Sequence, residues 1–350
     1  MKKLLRLMFT FTTLNVAAQD IKVSAYLETY HGYDFNKPSD HQRPGFVYSH
    51  NRHNEVNLNL GLIKGAYDNG KVRSALALMV GTYANANLAA EPGVLKNLYE
   101  ANGGIKVSKS ANLWVDAGIF SSHIGFESAI AKDCWTLTRS MLADNSPYYE
   151  SGAKLTYITN DGKWLLSGLF LNGWQRIQRP DGNNTPTFGT QITFIPNSRV
   201  KLNYSTFAGN DKPDTTRQMR YFHNLYGIFQ MTDKLFITTG FDYGAEQKSK
   251  GSSVHNKWYS PVFLIKTNLN EKWAATGRWE YYSDKQGVII DTANGFKTSG
   301  VSVNLDYMPL DNALLRVEGK MYWSKDAIFV RGLNSVKHSA SLSASMAVSF

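Results

Sequence analysis

The amino-acid sequence predicts an all-β protein, a transmembrane antiparallel up-and-down β-barrel of about 16 strands. Three observations lead to this fold class. Apolar and polar residues alternate in repeated runs of about ten residues, the length that crosses a bilayer at a barrel tilt. The connections between these runs alternate between short and long. The chain also opens with a segment typical of export.

That opening segment, residues 1–19, is predicted to be a cleaved signal peptide. It carries three cations ahead of an apolar run and small residues, namely Lys2, Lys3 and Arg6. The alternative, a buried first helix, is disfavoured because no helical period continues after Gln19. We therefore expect an exported protein in which residues 20–350 form a single barrel domain of the cell outer membrane.

The rest of the composition excludes two other classes. Cys134 is the single cysteine, so an exported chain of 350 residues has no internal disulfide framework. No later stretch has the uninterrupted apolar length of a membrane helix. The sequence also lacks a nucleophile elbow, a phosphate-binding glycine loop and a paired cysteine motif, so we predict no cofactor.

The strands are predicted from apolar residues that recur at every second position of a run. In the second run Val56, Leu58, Leu60 and Leu62 share one face, which the alternation assigns to lipid, and Asn59 belongs to the polar face. The same alternation appears in the runs EVNLNLGLI, VRSALALMV, LWVDAGIF, RVKLNYSTF, LFITTGFDY, VSVNLDYM and LLRVEGKMYW. A solvated antiparallel sandwich produces the same pattern.

The connections distinguish a barrel from a sandwich. Seven of them are short and rich in turn residues, lying near Asn69, Ser110, Asp161, Asn197, Asp233, Glu271 and Asp311. Long polar segments such as QRIQRPDGNNTP and EQKSKGSSVHN lie between them. Bacterial outer-membrane barrels have this asymmetry of short periplasmic turns and long extracellular loops. A sandwich has no reason to keep every other connection short.

The last strand and the aromatic residues fit the same fold. In SASLSASMAVSF the apolar residues share a parity with Phe350 and the serines occupy the other. A barrel must close its last strand against its first. We expect an outward Phe350 to act as an assembly signal for the barrel-assembly machinery.

Tryptophans near the predicted strand ends favour an interfacial girdle over aromatic residues scattered in a core. They are Trp114, Trp164, Trp258, Trp273 and Trp279.

Several longer stretches are similar to the OmpL-like family of outer-membrane β-barrel porins. They include RPGFVYSHNRHNEVNLNL, DAGIFSSHIGFESAIAKDCWTLTRS, SPYYESGAKLTY and GNDKPDTTRQMRYFHNLYGIFQ, and they run through most of the chain. The resemblance implies a barrel that permits diffusion across the outer membrane. It implies no catalytic residues and leaves the solute open.

Polar and charged residues occupy the inward-facing positions of the strands. They predict a water-filled channel, because barrels of this size leave an aqueous interior. We expect passive diffusion of small hydrophilic solutes or ions, with a weak anion preference from the basic loops. Transverse ion pairs across the wall are favoured over a selectivity ladder. The candidate wall residues are Arg73, Lys106, Asp116, Lys154, Lys201, Asp242, Lys266, Arg278, Glu280, Asp306, Arg316, Glu318 and Lys320.

The third extracellular loop, from Ser121 to Pro147, is long and unusually apolar. A loop of this length is typically functional, and we expect it to fold into the lumen and narrow it. An outward hydrophobic patch for a partner is the alternative. The candidate constriction residues are Glu127, Lys132, Asp133 and Arg139.

The alternative function is an outer-membrane barrel with hydrolase-like activity, or an adhesin or binding site, at its extracellular rim. His50 and His53, beside Glu55, provide a spacing that suggests a metal site or an acid and base pair. Residues three apart in a strand point to opposite faces, however, so a polar rim cluster is favoured. The expected partners are outer-membrane lipid and small solutes, not nucleic acid, with assembly into a homotrimer as a further hypothesis.

Overall fold

The computed structural model describes residues 21–350, and the predicted signal peptide lies outside them. Alternating polarity gives each segment one apolar and one polar face, so the strands pair into a single sheet that closes on itself. The sixteen barrel strands are β1 (Ile21–Asp34), β2 (Val56–Asp68), β3 (Val72–Val80), β4 (Leu98–Lys106), β5 (Asn112–Ser121), β6 (Tyr149–Ile158), β7 (Trp164–Leu171), β8 (Thr187–Asn197), β9 (Val200–Gly209), β10 (Arg220–Gln230), β11 (Leu235–Gln247), β12 (His255–Asn268), β13 (Trp273–Asp284), β14 (Phe296–Leu310), β15 (Ala313–Ser324) and β18 (His338–Ser349). The predicted fold class is confirmed.

Short elements lie in the long loops. Helix α1 (Thr82–Asn87) lies in loop L2, residues 81–97, and helix α2 (Met141–Asp144) lies in loop L3, residues 122–148. The hairpin of β16 (Phe329–Arg331) and β17 (Asn334–Val336) lies in loop L8, residues 325–337. Single 3-10 turns occur at Gly93–Asn97, Ala131–Asp133 and Asp214–Thr216. Within residues 21–350 no helix has the length and apolar character of a membrane span.

The barrel closes where β1 pairs with β18. The pairing runs from Tyr26 opposite Ser349 to Asp34 opposite Ser341. It continues past the strand end, because Ala25 N donates a hydrogen bond to Phe350 O at 2.6 Å and Phe350 N donates to Ala25 O at 3.0 Å. Phe350 therefore completes the seam with its backbone while its side chain stays exposed.

The face assignment of β2 is corrected by a β-bulge. The register with β1 shifts between Glu28, opposite Leu60, and Thr29, opposite Leu58, which leaves Asn59 as the extra residue. Both Asn59 and Leu60 consequently lie inside, each with 0% exposure. Beyond the bulge Ile63 faces outward and is 65% exposed. A β-bulge does not interrupt the alternation of apolar and polar residues, so the sequence alone does not reveal it.

Two of the five predicted girdle tryptophans are also inside the barrel. Trp114 is buried under Arg73, whose guanidinium lies 4.3 Å from the ring centroid. Trp258 is buried against Phe222 and covers Gly244, where any Cβ would collide with the indole. Trp164, Trp273 and Trp279 are exposed on the outer surface, as a girdle requires.

The corrected register predicts the effect of one added cation on β2. Ile63→Arg places a charge on the lipid face and is expected to cost roughly 2 to 4 kcal/mol near the bilayer midplane. Folded barrel, measured by heat-modifiable gel mobility after refolding into vesicles, should fall sharply. Ala66→Arg is the matched control, because it adds the same charge on the inward parity of the same strand. Equal loss of folding in the two variants would contradict the register.

Candidate functional site

One side of the lumen, formed by β13, β14 and β15, carries a network of buried charges. Alternate residues of each strand face inward, and the register places them beside inward residues of the neighbouring strands. The shortest contacts are Arg278 Nη2 to Glu318 Oε1 at 2.8 Å, Lys320 Nζ to Glu280 Oε1 at 2.9 Å and Arg316 Nε to Asp306 Oδ1 at 2.8 Å. Every cation of this wall therefore meets a carboxylate, as the interpretation of transverse ion pairs requires.

Loop L3 crosses the lumen and binds this charged wall through its backbone. Thr138 N donates to Glu318 Oε2 at 2.5 Å, and Met141 N donates to Glu280 Oε2 at 2.6 Å. At its start, the ring of His123 lies with Nε2 2.8 Å from the carbonyl oxygen of Thr206 on β9. The loop is thus fixed to opposite sides of the barrel.

The apolar residues of L3 are buried inside the barrel. Leu142 packs with Val262 and Leu264 of β12, and Ile124 and Met141 belong to the main cluster of buried apolar side chains. Burial of these residues against the inner wall removes them from water. The expected placement of the loop in the lumen is what the structure has, and the outward hydrophobic patch is not formed.

The charged residues expected at the constriction divide into two pairs. Lys132 and Asp133 line a cavity of about 520 Å³ at the periplasmic end of the lumen. Arg139 is buried and donates from Nε, Nη1 and Nη2 to the carbonyl oxygens of Ser128, Leu137 and Ala129. Glu127 is buried too and accepts hydrogen bonds from both the backbone nitrogen and the hydroxyl of Ser140.

Arg139 therefore does not face an opening, which corrects the sequence-based expectation, whereas Glu127 is among the residues that line a cavity of about 220 Å³ beside Lys201. A loop that enters a barrel carries many carbonyl groups away from water, and each needs a donor. Arg139 supplies donors to three of them. Its role in the structure is to hold the fold of L3, and reversal of its charge is expected to disrupt the loop instead of changing ion preference.

A second loop, which the sequence did not predict to be inside, lies above L3. Loop L1, residues 35–55, packs Phe46 against Phe296 and Tyr322, with ring centroids 4.9 and 5.3 Å apart. Ser49 Oγ donates to Asp144 Oδ1 of L3 at 3.0 Å, and burial raises the pKa of that carboxyl. L1 and L3 together form what we call the plug. The apolar Phe46 and Val47 within a polar loop were the available signal.

Cavities remain on both sides of the plug. The extracellular cavity, of about 360 Å³, is lined by Tyr48, Asp144, Trp174 and Arg220 among others. An inner cavity of about 220 Å³ is lined by Lys201, Tyr226 and Tyr148. Tyr148 OH donates to Asp144 Oδ1 at 3.3 Å, so this pair separates the two spaces. The inner cavity shares Tyr99, Ser121 and Ser128 with the larger periplasmic one.

All thirteen candidate wall residues lie on the inward parity, but they differ in charge compensation. On the β3–β6 side, Arg73 Nη2 lies 2.5 Å from Asp116 Oδ2, and Asp242 on β11 accepts a hydrogen bond from Asn224. Of the five lysines among these candidates, four have no carboxylate oxygen within 4.0 Å in the described part of the chain, namely Lys106, Lys154, Lys201 and Lys266. The inward cations of β13–β15 are all paired with carboxylates, whereas these four lysines of β4–β12 are not.

Two of these four lysines lie over aromatic rings. Lys154 Nζ lies 4.6 Å from the ring centroid of Phe120, and Lys201 Nζ lies 5.7 Å from that of Tyr226. Cation–π contacts stabilise an ammonium group without neutralising it. Of these lysines, Lys201 lines the inner cavity.

The two histidines considered for catalysis have different partners in the structure. His50 Nε2 lies 3.0 Å from Glu28 Oε1 on the inner wall, with both side chains fully buried. His53 Nδ1 instead accepts a hydrogen bond from Asp34 N at 2.9 Å. Among residues 21–350, no three His, Cys, Asp or Glu side chains are grouped to hold a metal ion. Burial raises the pKa of the Cys134 thiol to about 11, so it stays protonated at neutral pH.

Solved structures with the same architecture are outer-membrane proteins. The anion-selective porin from Comamonas acidovorans matches with a TM-score of 0.61 and 9% identity, covering 94% of this chain and 99% of that one. The trimer form of OmpT from Vibrio cholerae matches with a TM-score of 0.62 and 8% identity over 94% and 99%. OprB of Pseudomonas putida matches with 0.61 and 8% over 95% and 94%. These likenesses establish the fold.

Sequence comparison identifies the family. None of the curated proteins matches the chain. A family model does match, described as "Putative beta-barrel porin-2, OmpL-like", and the match extends over residues 20–350. It spans the whole barrel, including L1, L3 and the closing strand. The chain therefore belongs to the OmpL-like beta-barrel porin family and is an outer-membrane porin.

Proposed function

We propose that this porin conducts small hydrophilic solutes passively past the plug and prefers anions to cations. The observation that carries the proposal is the uneven compensation of lumenal charge. Cations on β13–β15 are bonded to carboxylates, whereas Lys106, Lys154, Lys201 and Lys266 are not. A fixed positive charge in a low-dielectric pore raises the local concentration of anions.

The proposed route follows the cavities. A solute enters the extracellular cavity at Trp174 and Arg220, passes the contact between Asp144 and Tyr148, and reaches the inner cavity beside Lys201. We place the narrowest part of the route along L3 where it crosses the lumen, with the Asp144–Tyr148 contact next to that crossing. The Comamonas porin, which has the same fold, is named as anion-selective. This similarity of fold supports the proposed anion preference.

Planar-bilayer recording of the refolded barrel in a KCl gradient tests this proposal. The expected reversal potential has the sign of chloride permeation, and raising the salt concentration should reduce its magnitude because ions screen the lysines. A reversal potential with the sign of potassium permeation would contradict the anion preference. Absence of any conductance from folded protein would contradict the channel itself.

We also propose that residues 1–19 are removed on export and that the barrel functions as a trimer. The trimer form of the Vibrio relative supports the second point. Crosslinking of the protein in outer membranes, followed by gel electrophoresis, should give a band at three times the monomer mass. Amino-terminal sequencing of the same material should start at residue 20.

Phe350 is proposed to be an assembly signal. Its backbone completes the seam with Ala25 while its side chain is 78% exposed. Phe350→Ala should therefore lower the amount of heat-modifiable barrel in the outer membrane, whereas Phe350→Tyr, which keeps an aromatic ring, should retain it. Refolding into pure lipid vesicles separates recognition from stability. A defect of Phe350→Ala that is equally large in vesicles would assign the residue to seam stability alone.

A further inference from the structure

The outer surface of the barrel carries four lysines at the extracellular edge of β12 to β15. Lys257 and Lys297 lie within β12 and β14 beside buried inward residues and therefore point away from the lumen, and Lys285 and Lys325 are exposed directly after the last inward residues of β13 and β15. The inward neighbours are Trp258, Asp284, Phe296 and Ser324. The outward lysines beside them, which we call the lysine row, are Lys257, Lys285, Lys297 and Lys325.

The strand register brings the lysine row into two like-charge pairs. Trp258 is opposite Asp284 in the last pair of the β12–β13 register, and Lys257 and Lys285 are the next residues beyond that pair on the two strands. Thr298 is opposite Ser324, and Lys325 N donates to Lys297 O at 2.9 Å, which sets those two lysines opposite each other. Side chains directly opposite in an antiparallel pair have Cβ atoms roughly 5 Å apart, and like charges there are destabilising.

No carboxylate relieves this repulsion in the structure of residues 21–350. None of the four ammonium groups lies within 4.0 Å of an acidic oxygen. The nearby acid Asp284 faces inward and accepts hydrogen bonds from the amides of Val288, Ile289 and Ile290. A cation pair on each side of β13 and β14 is therefore open to an external anion.

The adjacent loops extend the positive surface. Loop L6 (residues 248–254) and L8 add four further exposed cations, which are Lys248, Lys250, Arg331 and Lys337, and loop L7 (residues 285–295) lies between them. Their only acids are Asp291 and Asp326. The loops on the other side of the mouth mix both signs, as in Asp181 beside Arg179. The positive charge is thus concentrated on one arc of the rim.

Outward aromatic residues fix the depth of the lysine row in the membrane. Tyr259 lies two residues from Lys257, and Trp323 lies two residues from Lys325, both exposed on the outer face. Aromatic rings at this position mark the boundary between hydrocarbon and headgroups. Two residues of strand span roughly 7 Å, so the ammonium groups lie at the level of the outer-leaflet headgroups.

From this geometry we infer that the lysine row binds an outer-leaflet glycolipid that carries two phosphate groups, with one phosphate bridging each lysine pair. A phosphate between two ammonium groups replaces like-charge repulsion with two charge-assisted hydrogen bonds. The attached acyl chains then lie on the apolar surface below the aromatic residues. This site is on the lipid face of the wall, and it is independent of the permeation route.

Native mass spectrometry of the folded barrel with diphosphoryl lipid A tests the inference. The wild type should bind one lipid at the site, and the affinity should fall on the order of tenfold for each lysine pair replaced. The variants are Lys257→Gln with Lys285→Gln, Lys297→Gln with Lys325→Gln, and all four together. Monophosphoryl lipid A should bind more weakly than the diphosphoryl form, and free inorganic phosphate should not compete at equal concentration.

The matched control replaces four exposed lysines at the periplasmic turns, so that it removes the same charge from the other end of the barrel. These are Lys71, Lys109, Lys163 and Lys272, and their replacement by Gln should leave lipid binding unchanged. Equal binding by the four-lysine variant and the wild type, or equal loss in the control, would overturn the inference. So would competition by inorganic phosphate, which would indicate a site for soluble anions.

A second readout covers the case in which the four-lysine variant folds poorly. In lipid-free detergent, Lys297→Gln should raise the thermal unfolding temperature because it relieves repulsion from Lys325. Diphosphoryl lipid A should then stabilise the wild type more than this variant. Identical stabilisation of both proteins would overturn the inference. Ion selectivity in planar bilayers should be the same for both, which separates this site from the proposed function.

Discussion

Replacement of Ala129–Leu142 by a short Gly/Ser linker is expected to raise single-channel conductance several-fold while the barrel still folds. This part of L3 crosses the lumen and contacts β13–β15 through Thr138 and Met141. The hydrogen bonds between the barrel strands do not depend on this segment, because all sixteen strands pair with their neighbours on both sides. Conductance follows the open cross-section, and a barrel of this size is an aqueous channel without the loop.

The wall charges released by this change remain compensated. Arg278 keeps Glu318, Lys320 keeps Glu280, and water replaces the loop amides on the remaining oxygens. The control is the same linker chemistry at residues 249–253 of L6, which lie outside the lumen and should leave conductance unaltered. L1 stays in place in both variants. An unchanged conductance and solute size limit in the shortened L3 variant would show that L3 does not limit the route.

The joint substitution of Lys154, Lys201 and Lys266 by Glu is expected to convert anion preference into cation preference. Each change turns a positive charge into a negative one on an inward position that has no carboxylate partner. In a pore with low-dielectric walls, such fixed charges act strongly on passing ions. The measurement is the reversal potential in a KCl gradient, which should change sign.

Two controls separate the lumenal effect from overall charge. The same three lysines changed to Gln should give an intermediate reversal potential near zero. Lys109, Lys163 and Lys272 changed to Glu alter the net charge equally but lie exposed at the periplasmic turns, so the potential should stay close to that of the wild type. A reversal potential that is unaffected by the lumenal Glu substitutions would place the permeation route away from these lysines.

The sequence by itself determined the strand number, the two sides of the membrane and the parity of most strands. Val317 and Leu315 alternate with Arg316 and Glu318, and the structure places the first pair on lipid and the second inside. These features are local, because a strand repeats every two residues and a turn needs only a few residues of suitable type. The apolar content of L3 likewise predicted its burial within the barrel.

Only the tertiary structure decided the features that depend on contacts between distant segments. The bulge at Asn59 reverses the face of Leu60 because it depends on the pairing with β1. Arg139 is buried because carbonyls of its own loop need donors, and L1 lies inside because Phe46 meets Phe296 and Tyr322 far along the chain. Alternating polarity shows which residues avoid lipid, but it does not tell water from buried protein, because both accept polar side chains. The partner of each lumenal charge follows from strand register and loop packing, and these arise only when the barrel closes.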